Sequence, residues 1–248
     1  MTTLFPTTPL GPAVADLSPA LAPSKQTRLQ GKYVALEPLD TEKHAASLYR
    51  ALSEEEASAW PGWAYLAAGP FASEAEFTQQ IRAYSEGSGD PFFYAVITTP
   101  AGSAVGWISL LNVETAHKSV EVGHVAFSPV LQRTVESTEA FFLLIRHAFE
   151  ALGNRRVEWK CDTLNAPSRR AAERLGMKPE GVFRKHRILR GRSRDTAWFS
   201  IVDDEWSGEA EDGKRQGLKA SFEEWLRDDN FDENGRQKRS LEQVRADI

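Results

Sequence analysis

The sequence predicts an α/β (α+β) domain built on a mixed, mostly antiparallel twisted sheet flanked by helices, and three observations predict it. Three stretches rich in β-branched and aromatic residues follow one another directly: PFFYAVIT (91–98), SAVGWISLLNV (103–113) and SVEVGHVAFS (119–128). Turn residues separate the first two, as an antiparallel meander requires. A long apolar-periodic helix then leads into a further strand and a second helix, the β–α–β–α order that adds a crossover to the meander. Last, EGVFRKHRIL and RDTAWFSIVD flank RGRS as a hairpin.

Taken in order, residues 1–28 are rich in Pro, Thr, Ala and Ser without periodicity and are expected to form an extended or disordered arm. GKYVALEPL (31–39) is a strand, and Thr41–Leu52 a helix. AWPGWAYL (59–66) is an aromatic loop, and a second helix lies near 74–86. After the meander, a helix over 134–152 carries Phe141, Leu144, Ile145, Ala148 and Leu152 on one face. Phe142 and Phe149 give it a second apolar face, so it is largely buried. RRVEWKC (155–161) is the next strand. Ser168 is a plausible N-cap for a helix over 169–175, and Leu175-Gly176 is its stop. In the hairpin, Ala197, Phe199 and Ile201 share one face, and Trp198, Ser200 and Val202 the other. Beyond it, Leu218, Phe222, Trp225 and Leu226 mark a short amphipathic helix, with another near 239–246. These divisions give an arm (1–28), a domain (29–206) and a C-terminal helical extension (207–248) that packs on the domain or on a partner.

Composition narrows the function. With 248 residues and 41% hydrophobic content the chain buries one good core. A net charge of −5 without a dense Lys/Arg block argues against nucleic acid as a partner. The single cysteine, Cys161, forms no intrachain disulfide and lacks the surroundings of a catalytic thiol. No signal peptide and no run long enough to span a bilayer is visible, so the expectation is a cytoplasmic monomer or homodimer without membrane contact. The five histidines show no metal-ligand spacing, and no metal is expected.

Four stretches in series, VEVGHVAFSP, QRTVESTEA through HAFEALGNRRVEWKCDTLN, NAPSRRAAERLGMKPEGVFR and GRSRDTAWFSIVDDEW, resemble the Gcn5-related N-acetyltransferases (GNAT), specifically the RimJ/RimL-type branch, over about residues 29–206. The resemblance implies a sheet that splays between its fourth and fifth strands, with acetyl-CoA lying in the opening. It also implies transfer of acetyl to a primary amine by direct attack in a ternary complex. The acidic surface gives no reason to expect a ribosome-bound substrate, which favours a small-molecule or amino-acid-like acceptor. The alternatives are a protein N-terminal acetyltransferase and a catalytically weak acyl-CoA-binding module.

Residue by residue, the resemblance places the pyrophosphate at Gln132-Arg133-Thr134-Val135-Glu136-Ser137, ahead of Thr138 and after Phe127, the last apolar residue of the fourth strand. Val135 stands where the family pattern has its central glycine. Ser137 fits that pattern, and Arg133, Thr134 and Thr138 offer charge and hydroxyls in compensation. Asn165 is expected to bond the pantetheine arm and Ser168 to lie near the thioester sulfur, although a turn residue and a helix cap account for the same spacing. For the acceptor, Trp60, Trp63 and Tyr65 form either an aromatic wall that holds an amine or part of the core. An ammonium must lose a proton before it attacks, so a base is required. Regular alternation puts Glu121, Gly123 and Val125 on one strand face and His124 on the other. The acid of the E-x-G stretch borders the acetyl group in the family, which makes Glu121 the expected base and His124 the alternative.

Overall fold

The computed structural model describes residues 9–53, 61–99, 101–208 and 217–248. One eight-stranded sheet organises them: β1 (Leu29–Gln30), β2 (Val34–Pro38), β3 (Phe92–Thr98), β4 (Ala104–Glu114), β5 (Ser119–Phe127), β6 (Arg156–Asp162), β7 (Lys178–Leu189) and β8 (Arg192–Val202). Their spatial order is β1-β2-β3-β4-β5-β6-β8-β7, and every neighbouring pair is antiparallel except β5 and β6. The expected mixed, mostly antiparallel sheet is therefore present. Its single parallel contact sits where the long helix crosses over.

Helices cover both faces. On one, α1 (Thr41–Leu52) and α2 (Glu74–Ser85) bury Leu48, Leu52, Phe77 and Ile81 against Phe93, Ala95, Trp107 and Ala126 of the strands. Each helix opens on a side-chain cap, Asp40 accepting from the Lys43 N–H and Ser73 from the Glu76 N–H, which satisfies backbone donors that the first turn leaves free. On the other face, α3 (Val135–Arg146) packs Phe141, Leu144 and Ile145 against Tyr94, Ile108, Leu110, Val122 and Trp159. The helix predicted over 134–152 loosens into a π-turn at His147–Ala151 before it ends. The buried Glu139 carboxylate of α3 accepts the backbone N–H groups of Lys32, Tyr33 and Val34 at 2.8, 2.6 and 2.8 Å, fixing the entry to β2.

The C-terminal residues join this second layer. After α4 (Ala166–Arg174) and α5 (Asp203–Ser207), helices α6 (Leu218–Trp225) and α7 (Leu241–Asp247) place Phe222, Trp225, Leu241 and Val244 in the same core cluster as α3. Phe222 stacks on Phe142 with ring centroids 5.3 Å apart. At the other end, the N-terminal segment from residue 9 has no helix or strand before Leu29, yet it is tied down. Ala20 and Leu21 donate backbone hydrogen bonds to Thr115 (2.9 Å) and Leu152 (2.7 Å).

Candidate active site

The sheet opens where β5 and β6 meet. Their parallel register holds only from Ser119–Arg156 to Glu121–Glu158, and after that the strands part. A bulge in β5 contributes to the separation. Ser109 of β4 pairs with Gly123 and Trp107 with Ala126, so His124 and Val125 together face the single residue Ile108. His124 takes a left-handed conformation at φ 47°, which L-residues with a Cβ rarely adopt. The result is a cleft of about 1840 Å³ running from the starts of α3 and α4 through the opening to the β7–β8 hairpin. It exceeds the roughly 300–1,000 Å³ of an ordinary small-ligand site and leaves room for an extended cosubstrate beside a second reactant.

On the side of α3 and α4, Gln132 through Thr138 all line the cleft. Thr134 caps α3 by accepting from the Ser137 N–H at 3.2 Å. The preceding residues turn sharply, with Arg133 at φ 63°. Gln132 Nε2 donates to the Phe127 carbonyl at 2.8 Å and the Thr134 hydroxyl to that of Leu131 at 2.7 Å, which pins the turn. Val135 is the first residue of α3, so the position where glycine was expected has ordinary helical backbone. The left-handed residue lies two places earlier. Thr138 Oγ1 accepts from Arg174 at 3.0 Å, and burial pulls the Arg174 pKa below the usual arginine value. The C-terminal extension also reaches the cleft wall, through Trp225, Phe231, Arg236 and Gln237.

The cap of α4 corrects the sequence reading. The helix begins at Ala166 rather than Arg169, and Asn165 is the N-cap, its Oδ1 accepting the Ser168 N–H at 3.2 Å. Asn caps as well as Ser does, and Pro167 fits the first turn, where its missing N–H costs nothing. The three-residue spacing of Asn165 and Ser168 is thus that of a cap and the amide it satisfies. Ser168, released from capping, accepts from Trp159 Nε1 at 3.0 Å. An indole N–H only donates, so the Ser168 proton remains available for another acceptor. Cys161 lies beside it, its thiol pushed up by burial, with the Ser168 hydrogen bond and the charge of Arg194 pulling the other way.

Across the sheet the bulge changes the expected geometry. Val120 and Val122 point into the α3 core, whereas Ala126 packs with the α1–α2 cluster. The His124 ring meets Phe93 of that cluster at 5.6 Å, so His124 lies on the same side as Glu121 rather than opposite it. Both line the cleft. Glu121 Oε2 is already taken, accepting from Asn112 Nδ2 at 2.6 Å and from Lys160 Nζ at 2.7 Å. Lys160 also pairs with Glu158 at 2.8 Å and lies 4.1 Å from the centre of the Trp198 ring. Burial, reinforced by the charge of Arg194, lowers the His124 pKa below 6.5, so the imidazole is neutral at pH 7.

The aromatic loop divides. Trp60 lies outside the described residues. Trp63 is 2% exposed and packs in the core against Phe71 and Trp107, with centroids 5.5 and 6.1 Å away, so its ring is core and not wall. Tyr65 lines the cleft, its hydroxyl donating to the Leu164 carbonyl at 3.1 Å. The hairpin tip closes over this loop, Arg190 donating to the carbonyls of Leu66 and Gly69. Sequence reasoning missed Asn112, Lys160 and Arg194. Alternation in β8 was the available signal: it sets Arg194 on the face of Thr196 and Trp198, away from the apolar Ala197, Phe199 and Ile201.

Comparison with known proteins agrees with this layout. The family described as acetyltransferase (GNAT) domain matches residues 34–178. A crystal structure of a GCN5-related N-acetyltransferase from Brucella melitensis is 39% identical, with a TM-score of 0.86 over 94% of this chain and 100% of its own. A Bacillus subtilis (strain 168) protein named "Putative ribosomal N-acetyltransferase YdaF" is 32% identical over 108 residues, 44% of this chain; the match spans 58% of that relative's length. A structure described as RimL, a ribosomal L7/L12 alpha-N-protein acetyltransferase in complex with coenzyme A, shares the fold at 18% identity and a TM-score of 0.61. Family match, sheet order and the opening between β5 and β6 agree, and the chain belongs to the GNAT acetyltransferase family.

Proposed function

We propose that the chain is an acetyl-CoA-dependent N-acetyltransferase that moves acetyl to a primary amine by direct attack in a ternary complex. The observation that carries this reading is the opening beyond Glu121 and Glu158. It joins the starts of α3 and α4 on one face to a neutral, cleft-lining His124 on the other. Acetyl-CoA supplies an activated acyl carbon, and the residues present suit it. The free first-turn N–H groups of α3, with Arg133 beside them, fit the pyrophosphate, and Asn165 borders the path of the pantetheine arm. Gln132, Phe127, Thr134, Ser137 and Thr138 hold this end of the cleft in shape.

Proton handling follows the geometry. His124 is the better base, being neutral and cleft-lining, whereas Glu121 is tied to Lys160 and Asn112 through Oε2 and has only Oε1 to offer an incoming ammonium. Glu121 instead holds Lys160 in place. At the other end, the Ser168 hydroxyl, with a lone pair engaged by Trp159, can turn its proton from the Cys161 sulfur beside it to the departing thiolate. A positive helix end beside it favours that charge.

The name of the Bacillus subtilis relative supports a second acceptor class, a ribosomal-protein N-terminus, alongside the small or amino-acid-like amine. Release of free CoA measured over a panel of small amines, amino acids and peptides with free N-termini tests the proposal. Turnover with any of them supports it. CoA binding without turnover across the whole panel overturns it in favour of an acyl-CoA-binding module.

A further inference from the structure

On the acceptor face of the cleft a group of hydrogen-bond donors lies idle. Arg194, Thr196 and Trp198 alternate along one face of β8, and all three line the cleft with His186 of β7 opposite. Thr196 is 1% exposed, and its Oγ1 meets no partner among the described residues. Arg194 Nε and Trp198 Nε1 are likewise buried and unpartnered. A buried polar group without a partner costs about 1–3 kcal/mol, and such groups are rare enough that each needs a reason.

The charge balance points the same way. Of the cleft-lining carboxylates, Glu121 and Glu158 are engaged by Lys160, Glu158 also by Arg156 at 2.8 Å, and Asp162 accepts the Leu164 N–H at 2.9 Å. Arg194 has no carboxylate partner among the described residues. Its position is central, since its charge reaches both His124 on β5 and Cys161 on β6. A half-buried guanidinium with unused donors, set beside an indole N–H and a hydroxyl, is a receptor for a planar anion with several acceptor lone pairs.

We propose that the acceptor amine carries a carboxylate, and that Arg194, with Thr196 and Trp198, binds that carboxylate and so presents the amine to His124. The inference rests on the transferase reading and names the substrate class. The carboxylate belongs either to a free amino-acid-like acceptor or to an acidic first residue of a peptide; both offer the same group to Arg194.

The test pairs each acid with its amide: glycine, β-alanine, aspartate and glutamate against glycinamide, β-alaninamide and the diamides of aspartate and glutamate, and tetrapeptides beginning with Asp or Glu against those beginning with Asn or Gln. For the wild type, kcat/KM for the acids should exceed that for the amides by about tenfold or more, and the arm that shows the preference identifies the source. Arg194→Gln should abolish the preference through acceptor KM while KM for acetyl-CoA stays put, and Arg194→Lys should restore part of it. Thr196→Val, with no charge removed, should shrink the preference by a smaller factor. Equal kcat/KM for acids and amides overturns this inference and leaves the transferase reading standing. If no amine releases CoA, the transferase reading fails, and calorimetry on the CoA-loaded protein decides the rest. Tighter binding of N-acetyl-β-alanine than of N-acetyl-β-alaninamide supports the carboxylate receptor, and equal binding overturns it.

Discussion

Replacing His124 with Asn separates the base from the fold. The backbone there is left-handed at φ 47°, a conformation that Asn tolerates better than other non-glycine residues, so the bulge should survive. What the folded state loses is the ring contact with Phe93, worth about 0.5–1.5 kcal/mol, and the melting temperature should fall by only a few degrees. What the reaction loses is a positioned proton acceptor. That is worth about 100- to 10,000-fold, or about 2.7–5.4 kcal/mol of barrier. The difference makes the two effects separable. Steady-state thiol release against pH is the assay.

The sign of the pH dependence follows from the cause of the shift. Burial and Arg194 lower the His124 pKa from 6.5, so wild-type kcat/KM should be flat at neutral pH and decline only as the pH drops through a value below 6.5. In His124→Asn that acid limb should vanish along with most of the rate. An unchanged kcat/KM with the limb intact refutes the assignment. If Glu121→Gln removes the limb instead, the role passes to the carboxylate. The same depression, also present at His44 and His147, has a consequence for stability. The unfolded chain binds protons that the folded imidazoles refuse. Stability is therefore fully present above the unfolded pKa and lost as pH falls through the folded values.

Other residues give sharper contrasts. Arg133→Ala should weaken CoA binding by about tenfold in calorimetry, the loss of a charged hydrogen bond, with kcat for bound substrate near normal; unchanged affinity would move the phosphates away from α3. Asn165→Ala should cost about 1 kcal/mol of stability as a lost cap, whereas Ser168→Ala, which leaves the buried Trp159 indole N–H without its acceptor, should cost about 1–3 kcal/mol and also lower kcat. A Ser168→Ala variant that loses stability but keeps wild-type kcat would make Ser168 the acceptor of the indole and nothing more. Trp63→Ala should destabilise the protein by about 3–5 kcal/mol and leave acceptor KM unchanged at temperatures where it is folded, since the ring fills core space against Phe71 and Trp107. A raised acceptor KM with unchanged stability would restore Trp63 to the acceptor wall.

The legible parts of the fold were those written in local periodicity. α1 begins at Thr41 and ends at Leu52 as its pattern says, and the meander strands lie within a residue or two of their apolar stretches. The misread details are those that periodicity cannot encode. His124 and Glu121 share a side only because one extra residue is accommodated opposite Ile108, and no alternation rule marks where a bulge falls. Two good capping residues stood three apart before α4, and the choice of Asn165 depended on Pro167 being admitted to the helix. Trp63 was ambiguous because an aromatic ring serves a wall and a core equally well until its neighbours are known. Alternation groups Arg194 with Thr196 and Trp198, but that this face, and Lys160, meet the opening follows only from the pairing of β6 with β5 and β8, segments far apart in the chain.

Backbone strain draws the site together. Of the non-glycine residues with positive φ, Asn112 (49°), His124 (47°) and Arg133 (63°) all line the cleft. Each costs on the order of 1–2 kcal/mol relative to an ordinary conformation, and each is held by its surroundings. Asn112 and the residue after it are pinned by the Asp90 carboxylate, which accepts their N–H groups at 2.9 and 3.0 Å, and Asn112 in turn donates to Glu121. His124 is fixed by the bulge between Gly123 and Ala126, and Arg133 by the anchored side chains of Gln132 and Thr134. Glycine at these positions would relieve the strain and lose the amide, the imidazole and the guanidinium. Under the proposed function, this strain accounts for the departure of the loop ahead of α3 from the glycine pattern. The turn is made at Arg133, where a charged donor is wanted beside the free N–H groups of the helix, and Val135 is left to begin the helix.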